Sequence, residues 1–218
     1  MILGLDLGQA QDFTAIVFLS RGADGVVLVE DTMRVPLKTS YHAVVDYVAQ
    51  LWGSPEFAGS ELVVDATGVG APVVELLKAR RIAPLHAVTI TTGDRVAWNH
   101  DHGRWHVAKK HLVSLLAVRL QNGTLQIRAD VPDYQLLVSE LQNFRMKVHA
   151  SGAASYEAWR EQEHDDLVLA TALAVWWADK TQPREKPTKD AKTTFLETHA
   201  KKLAKQWRHD ALLGRTRR

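Results

Sequence analysis

The sequence contains no cysteine at all. That absence excludes a disulfide framework, a thiolate zinc site and a cysteine nucleophile together. Also missing is any apolar run approaching the ~18 residues needed to cross a bilayer. The opening Met-Ile-Leu-Gly-Leu-Asp has no basic stretch and meets an acidic residue at once, unlike a secretory signal. These absences predict a cytoplasmic protein with no membrane partner. No internal repeat is visible. What remains is ordinary globular material: 218 residues, 46% hydrophobic and 24% charged. That is enough for one domain with a buried core and an appendage.

The formal net charge of +2 hides a division. From Lys180 to Arg218 there are twelve Lys and Arg against four Asp and Glu, so the preceding residues carry a balance of −6. An acidic body with a basic tail is a pattern found in proteins that meet nucleic acid, although a solvated basic helix produces it too. Residues 181–193 hold Pro183, Pro187 and several lysines, as a linker does. Beyond it, Leu196, Ala200, Leu203, Trp207 and Ala211 recur at helical spacing. The expected division is therefore a domain over 1–180 and a basic linker with an amphipathic helix over 181–218.

Within the body, Ile2–Leu7, Thr14–Leu19 and Val26–Val29 read as three short antiparallel strands separated by turn residues. Ser40 suits the N-cap of a helix whose buried stripe is Val44, Val45, Val48 and Leu51. Glu61–Ala66 then reads as a buried strand ending in Thr67-Gly68-Val69-Gly70. Pro72 opens a helix running to about Arg81, and Leu85–Ile90 is a further strand. Residues 91–106 read as a polar loop with Trp98, His100, His102, Trp105 and His106. A helix from Val107 to Gln121 stops at Asn122-Gly123. Leu125–Ile127 is a short strand, Pro132–Asn143 a helix, Phe144–His149 a hairpin arm and Ser151–Ser155 a loop. His164-Asp165-Asp166 opens an apolar helix ending near Trp177. The class is α/β, with a mixed, roughly five-stranded sheet flanked by helices.

Three acidic positions fall where such a fold places functional groups. Asp6 lies inside the first strand, Asp65 ends a later one before a Gly-rich turn, and Asp165 and Asp166 start a late helix. A carboxylate inside a strand is expensive to bury alone, which marks Asp6 as functional. Asp65 alone could equally cap its turn, and the Asp165/Asp166 pair alone could be an N-cap. Together they can converge as hard-cation ligands must, and two divalent ions held by such a cluster support phosphodiester hydrolysis. Lys109 and Lys110 follow the polar loop and could meet DNA phosphates, or simply be solvated. His100, His102 and His106 have no convincing fourth zinc ligand. Trp98 and Trp105 could stack on unpaired bases, but packing onto the body is the safer expectation.

Three segments together resemble a family: Gly4-Leu-Asp-Leu-Gly-Gln-Ala-Gln-Asp-Phe-Thr-Ala, Val64-Asp-Ala-Thr-Gly-Val-Gly and His164-Asp-Asp-Leu-Val-Leu-Ala-Thr-Ala-Leu-Ala. In the same order they are similar to the nuclease domain of large terminase subunits from tailed bacteriophages, over roughly residues 1–180. The resemblance implies an RNase H-like fold and a metal-dependent endonuclease that cuts concatemeric viral DNA during packaging, leaving a 5′-phosphate and a 3′-hydroxyl. Carried over by position, Asp6, Asp65 and Asp165/Asp166 are the catalytic, metal-binding acids for two Mg²⁺ or Mn²⁺ ions. Lys109 also matches a lysine at about that place. The implied partners are double-stranded DNA, a terminase ATPase motor, the small subunit and the portal, in the cytoplasm of a phage-infected or prophage-carrying bacterium, with the isolated chain a monomer. Large terminases carry an ATPase motor before the nuclease, yet this chain has no Gly-x-x-x-x-Gly-Lys-Ser/Thr motif. It therefore reads as an excised domain, a split gene product or a stand-alone nuclease.

Three alternatives stand beside that reading. A Holliday-junction resolvase is the near relative, favoured by junction preference and dimerisation. An actin-like or sugar-kinase ATP-binding protein shares the Asp-x-Gly strand but needs a second such loop and more chain. A non-catalytic DNA- or capsid-binding module would rely on the basic tail.

Overall fold

Strand Ile2–Asp6 (β1) is buried at every position. A continuous apolar strand of this kind belongs in a sheet covered on both faces, and the computed structural model shows that arrangement. It describes residues 1–8, 12–150 and 165–182, with the backbone alone over 144–150. The basic tail beyond residue 182, the loop from Ser151, His164 and turn residues 9–11 lie outside the described residues. Met1–Thr181 forms one unit. Among the described residues no helix is long and apolar enough to cross a membrane.

The elements follow the chain as β1, Thr14–Arg21 (β2), Val27–Val35 (β3), Tyr41–Gly53 (α1), Glu61–Asp65 (β4) and Gly70–Ala79 (α2). Then come Leu85–Thr91 (β5), Val96–Asn99 (β6), Arg104–Ala108 (β7), Lys109–Gln121 (α3), Leu125–Ile127 (β8), Tyr134–Ala150 (α4) and Asp166–Lys180 (α5). The strands form one sheet in the order β6-β7-β5-β4-β1-β2-β3-β8. The first three strands are antiparallel as expected, while β4 runs parallel to β1 and β5 parallel to β4.

The sheet has eight strands, not five. Most of the difference lies in residues 91–106, expected as a loop. Trp98 pairs with Trp105 and Val96 with Val107 in an antiparallel hairpin, β6–β7, and β7 joins β5. The Asn99 side chain closes its turn by accepting from the Asp101 and His102 amides. Histidines and Asp101 hid the alternation of apolar residues that marks a hairpin. The helix expected from Val107 consequently starts at Lys109, because Val107 and Ala108 are held in β7. Residues 144–149 form no hairpin arm either: α4 continues to Ala150, with no Gly or Pro to stop it.

Two helical layers cover the sheet. On one face α1 and α2 bury Val44, Val45, Val48, Val73, Val74 and Leu77 against Leu3, Leu5, Leu62 and Val64. Ser40 caps α1 as expected, its Oγ accepting from the Ala43 amide at 3.2 Å. On the other face α3, α4 and above all α5 pack on Ile2, Val17, Val63 and Val88. Leu167 and Leu173 of α5 are fully buried, and truncating either to Ala should cost ~2–5 kcal/mol. Helix α5 lies unusually close to β1: a Cβ added at Gly4 would stand 1.9 Å from the Ala170 carbonyl oxygen. Only glycine permits that approach.

Candidate acidic site

Alternation along β1 and β4 decides where the acids point. Leu3, Leu5, Leu62 and Val64 face α1 and α2, so Asp6 and Asp65 project from the α5 side, like Ile2 and Val63. Leu5 is opposite Val64 in the parallel register, so Asp6 and Asp65 end neighbouring strands side by side. A further close approach fixes the chain after Asp65. A Cβ on Gly70 would lie 1.9 Å from the Asp65 carbonyl oxygen, and Gly68 adopts φ +56°. One Asp65 carboxylate oxygen also accepts from the Thr67 amide at 2.7 Å, so this residue does cap its turn.

Helix α5 brings the second pair of acids to the same end of the sheet. Asp165 occupies its N-cap position, but its side chain makes no capping hydrogen bond. Asp166, in the first turn, is 3% exposed and accepts from Arg34 Nη2 at 2.9 Å. The Arg34 guanidinium lies 3.8 Å over the Phe13 ring, which orients it toward the acid. From α4, Glu140 reaches in and accepts from the Val168 amide at 3.3 Å.

The electrostatics report the crowding. Burial pushes the Asp6 carboxyl well above its ordinary value; Asp65, Asp165 and Asp166 push it further, and Lys109 opposes them. Asp165 is raised to about 6, first by burial and then by Asp166 and Asp12, against Lys109. Glu140 is raised to about 7, mainly by burial, with the Val168 amide and Arg34 pulling it down. Carboxyls raised by burial, and further by neighbouring acids, are ones a cation would relieve.

The donor set fits a hard divalent cation, since every member is a carboxylate. Its closure around one point is another matter: among the described residues no three His, Cys, Asp or Glu side chains stand close enough to hold one ion. The structure thus gathers Asp6, Asp65, Asp165 and Asp166 into one electrostatic neighbourhood, with Lys109 beside them. Lys110 sits apart, ion-paired with Asp94 ahead of the hairpin.

No protein-family model matches the sequence, and neither does any curated protein. Solved structures similar to it include two nucleases. One is the large terminase (g2p) nuclease domain from bacteriophage SPP1 with bound Mn, at 13% identity and a TM-score of 0.45 over 65% of this chain and 66% of that one. The other is the yeast mitochondrial Holliday junction resolvase Ydc2, at 11% identity and a TM-score of 0.39 over 81% of this chain and 78% of that one. The fold is RNase H-like. Its five central strands run β3-β2-β1-β4-β5, with β2 antiparallel to both neighbours and β1, β4 and β5 parallel.

Sequence reasoning did not single out Arg34 or Glu140. A signal for Glu140 was present: it stands between Leu137 and Leu141 on the buried stripe of α4. An acid there is as conspicuous as Asp6 inside a strand. Arg34 carried no comparable mark, because arginine near the end of a half-exposed strand is ordinary. The remaining aromatics are mostly structural. Trp176 and Trp177 are buried, and Trp105 packs edge-on against Trp176, while Trp98 stays 40% exposed on the hairpin. The His106 ring approaches Asn99 at 3.5 Å rather than a second histidine.

Proposed function

We propose that this chain is a metal-dependent DNA endonuclease that hydrolyses phosphodiester bonds with two divalent cations, Mg²⁺ or Mn²⁺. The observation that supports it most is the meeting of four acids from β1, β4 and the start of α5 beside one lysine. Like charges gathered at the carboxyl ends of parallel strands are costly unless cations sit among them. In this reading Asp6, Asp65 and Asp165 would hold the ions. Asp165 is the better direct ligand of its pair, because Asp166 is engaged by Arg34. Cations so held would polarise the scissile phosphate, activate the attacking water and stabilise the leaving oxygen. Of the chain's own groups, Lys109 would offset the charge of the acids and steady a phosphate oxygen. Lys110 would hold the DNA backbone further out.

Residues 1–180 form the nuclease in this proposal, and the basic segment 181–218 adds sequence-independent affinity for the DNA backbone. The biological setting proposed is the cutting of concatemeric viral DNA during packaging, in the cytoplasm of a phage-infected bacterium. An ATPase motor, a small subunit and a portal would be its partners, and the isolated chain would be a monomer.

The test is a plasmid-nicking assay with Mn²⁺, Mg²⁺ or EDTA, run beside Asp6→Ala. Cation-dependent cutting that disappears in the variant is the expected outcome. Cutting that survives in the variant, or in EDTA, would overturn the mechanism. Cleavage confined to four-way junctions would move the reading to a resolvase.

A further inference from the structure

A helix N-terminus leaves its first amide groups without intrahelical partners, and the N-cap side chain normally satisfies one of them. Helix α5 departs from this. Its N-cap residue Asp165 has φ −130° and its side chain makes no capping bond. The amide that such a cap would reach, that of Val168 at the third helical position, is instead bonded to Glu140 Oε2, 28 residues earlier and on α4. The cap is supplied in trans.

Glu140 is only 7% exposed, and its second oxygen, Oε1, is buried with no hydrogen-bond partner among the described residues. An unsatisfied buried carboxylate oxygen costs stability, so a residue chosen for stability alone would be apolar here. We propose that Glu140 is a positioning residue. By capping α5 from outside, it releases the Asp165 carboxylate from that task and fixes the turn that carries both aspartates. This rests on the reading of the acids as a divalent-cation site and adds a supporting residue to it. Groups that orient metal-binding side chains commonly change cation affinity by about 10–100-fold when removed.

The experiment uses the full chain and two variants. Glu140→Leu keeps most of the volume and removes the acceptor. Glu140→Gln keeps an oxygen that can accept from the Val168 amide. Two quantities are measured: Mn²⁺ affinity by calorimetry, and hydrogen exchange of the Val168 amide by NMR. Glu140→Leu should speed the exchange and weaken Mn²⁺ binding about tenfold, while Glu140→Gln should restore both to within about threefold. Faster exchange in Glu140→Leu with unchanged Mn²⁺ affinity would overturn the proposal, leaving a plain structural cap. Glu140→Gln binding Mn²⁺ as weakly as Glu140→Leu would also overturn it. Absence of Mn²⁺ binding in the unmodified chain would instead defeat the cation-site reading itself, a result distinct from either variant's failure.

Discussion

Replacing Asp165 with asparagine should stabilise the protein, and the gain should depend on pH in a defined direction. The Asp165 carboxyl is raised from 3.8 to about 6, chiefly by burial. A raised acid contributes stability that is fully present below its unfolded value and is lost as pH rises through its folded value. Above about pH 7 the full shift is lost, equivalent to about 3 kcal/mol at ~1.36 kcal/mol per pH unit. Water at this incompletely buried group screens part of that, leaving about 1–3 kcal/mol. Asparagine is close to isosteric, caps helices as well as aspartate does, and carries no charge. For a chain of this size each kcal/mol moves Tm by ~2–4 °C, so the variant should melt about 3–10 °C higher near pH 8.

The assay is thermal unfolding of both proteins in EDTA across about pH 4 to 8. The increment should shrink steadily toward low pH and be small at about pH 4, where the aspartate is protonated in the folded state and about half ionised in the unfolded one; it vanishes only below the unfolded value of 3.8. Equal melting temperatures at pH 8 would refute the claim that burial and its neighbours hold the Asp165 carboxyl above its ordinary value. An increment undiminished at pH 4 would refute its electrostatic origin and assign the gain to packing. Saturating Mn²⁺ should reverse the order, because the unmodified chain has more charge for the ion to bind.

Further outcomes follow from the same contacts. Arg34→Met should destabilise the fold by ~3–5 kcal/mol in urea unfolding, because it removes the cation that faces the buried Asp166 carboxylate; adding Asp166→Asn should recover most of the loss. Gly4→Ala should destabilise the fold by ~2 kcal/mol or more, read as a lower Tm, since its methyl group would collide with the Ala170 carbonyl. Mn²⁺ at about 100 times its Kd should raise the stability of the unmodified chain by ~2.7 kcal/mol and that of Asp6→Asn by much less, read as a shift in Tm. Lys109→Met should slow plasmid nicking more than Lys110→Met, because Lys109 faces the acids whereas Lys110 is paired with Asp94.

The parts of the fold legible in the sequence are those decided by local signals. Ser40 was recognisable as a cap and Asn122-Gly123 as a stop, and both function so. The apolar run in Glu61–Ala66 read as a buried strand, and Leu62, Val63 and Val64 of β4 are fully buried. What the sequence concealed depends on partners distant along the chain. Val96, Trp98, Trp105 and Val107 become strand residues because β5 offers β7 an edge to pair with. No window of residues 91–106 contains that edge. Asp6 stood out because a carboxylate inside a strand violates the apolar pattern around it, whereas Asp65 and Asp165/Asp166, each readable alone as a cap, stood out only together with it. Their supports were harder to see. Arg34 and Glu140 become meaningful only once β3 and α4 are folded against the start of α5.

Helix α5 shows why so many supports are needed. Four carboxylates that repel one another would relax apart if the helix could slide or tilt, so its register must be fixed at several points. Far from the acids, Trp177 Nε1 donates to Glu61 Oε2 at 2.8 Å, and its indole stacks on His86 at a centroid distance of 3.6 Å. Arg21 donates to the Ala178 carbonyl, and Arg119 pairs with Asp179. Midway, the contact of Gly4 with Ala170 allows no shift of the backbone toward the sheet. At the acidic end, Arg34 and Glu140 hold the first turn. Glu61 and Asp65 lie at opposite ends of the same five-residue strand and on the same face. A displacement of α5 that relieved the carboxylates at one end would therefore have to break the Trp177 bond at the other. The repulsion is stored because α5 is tied to β4 through Trp177 at one end and to β3 and α4 through Arg34 and Glu140 at the other.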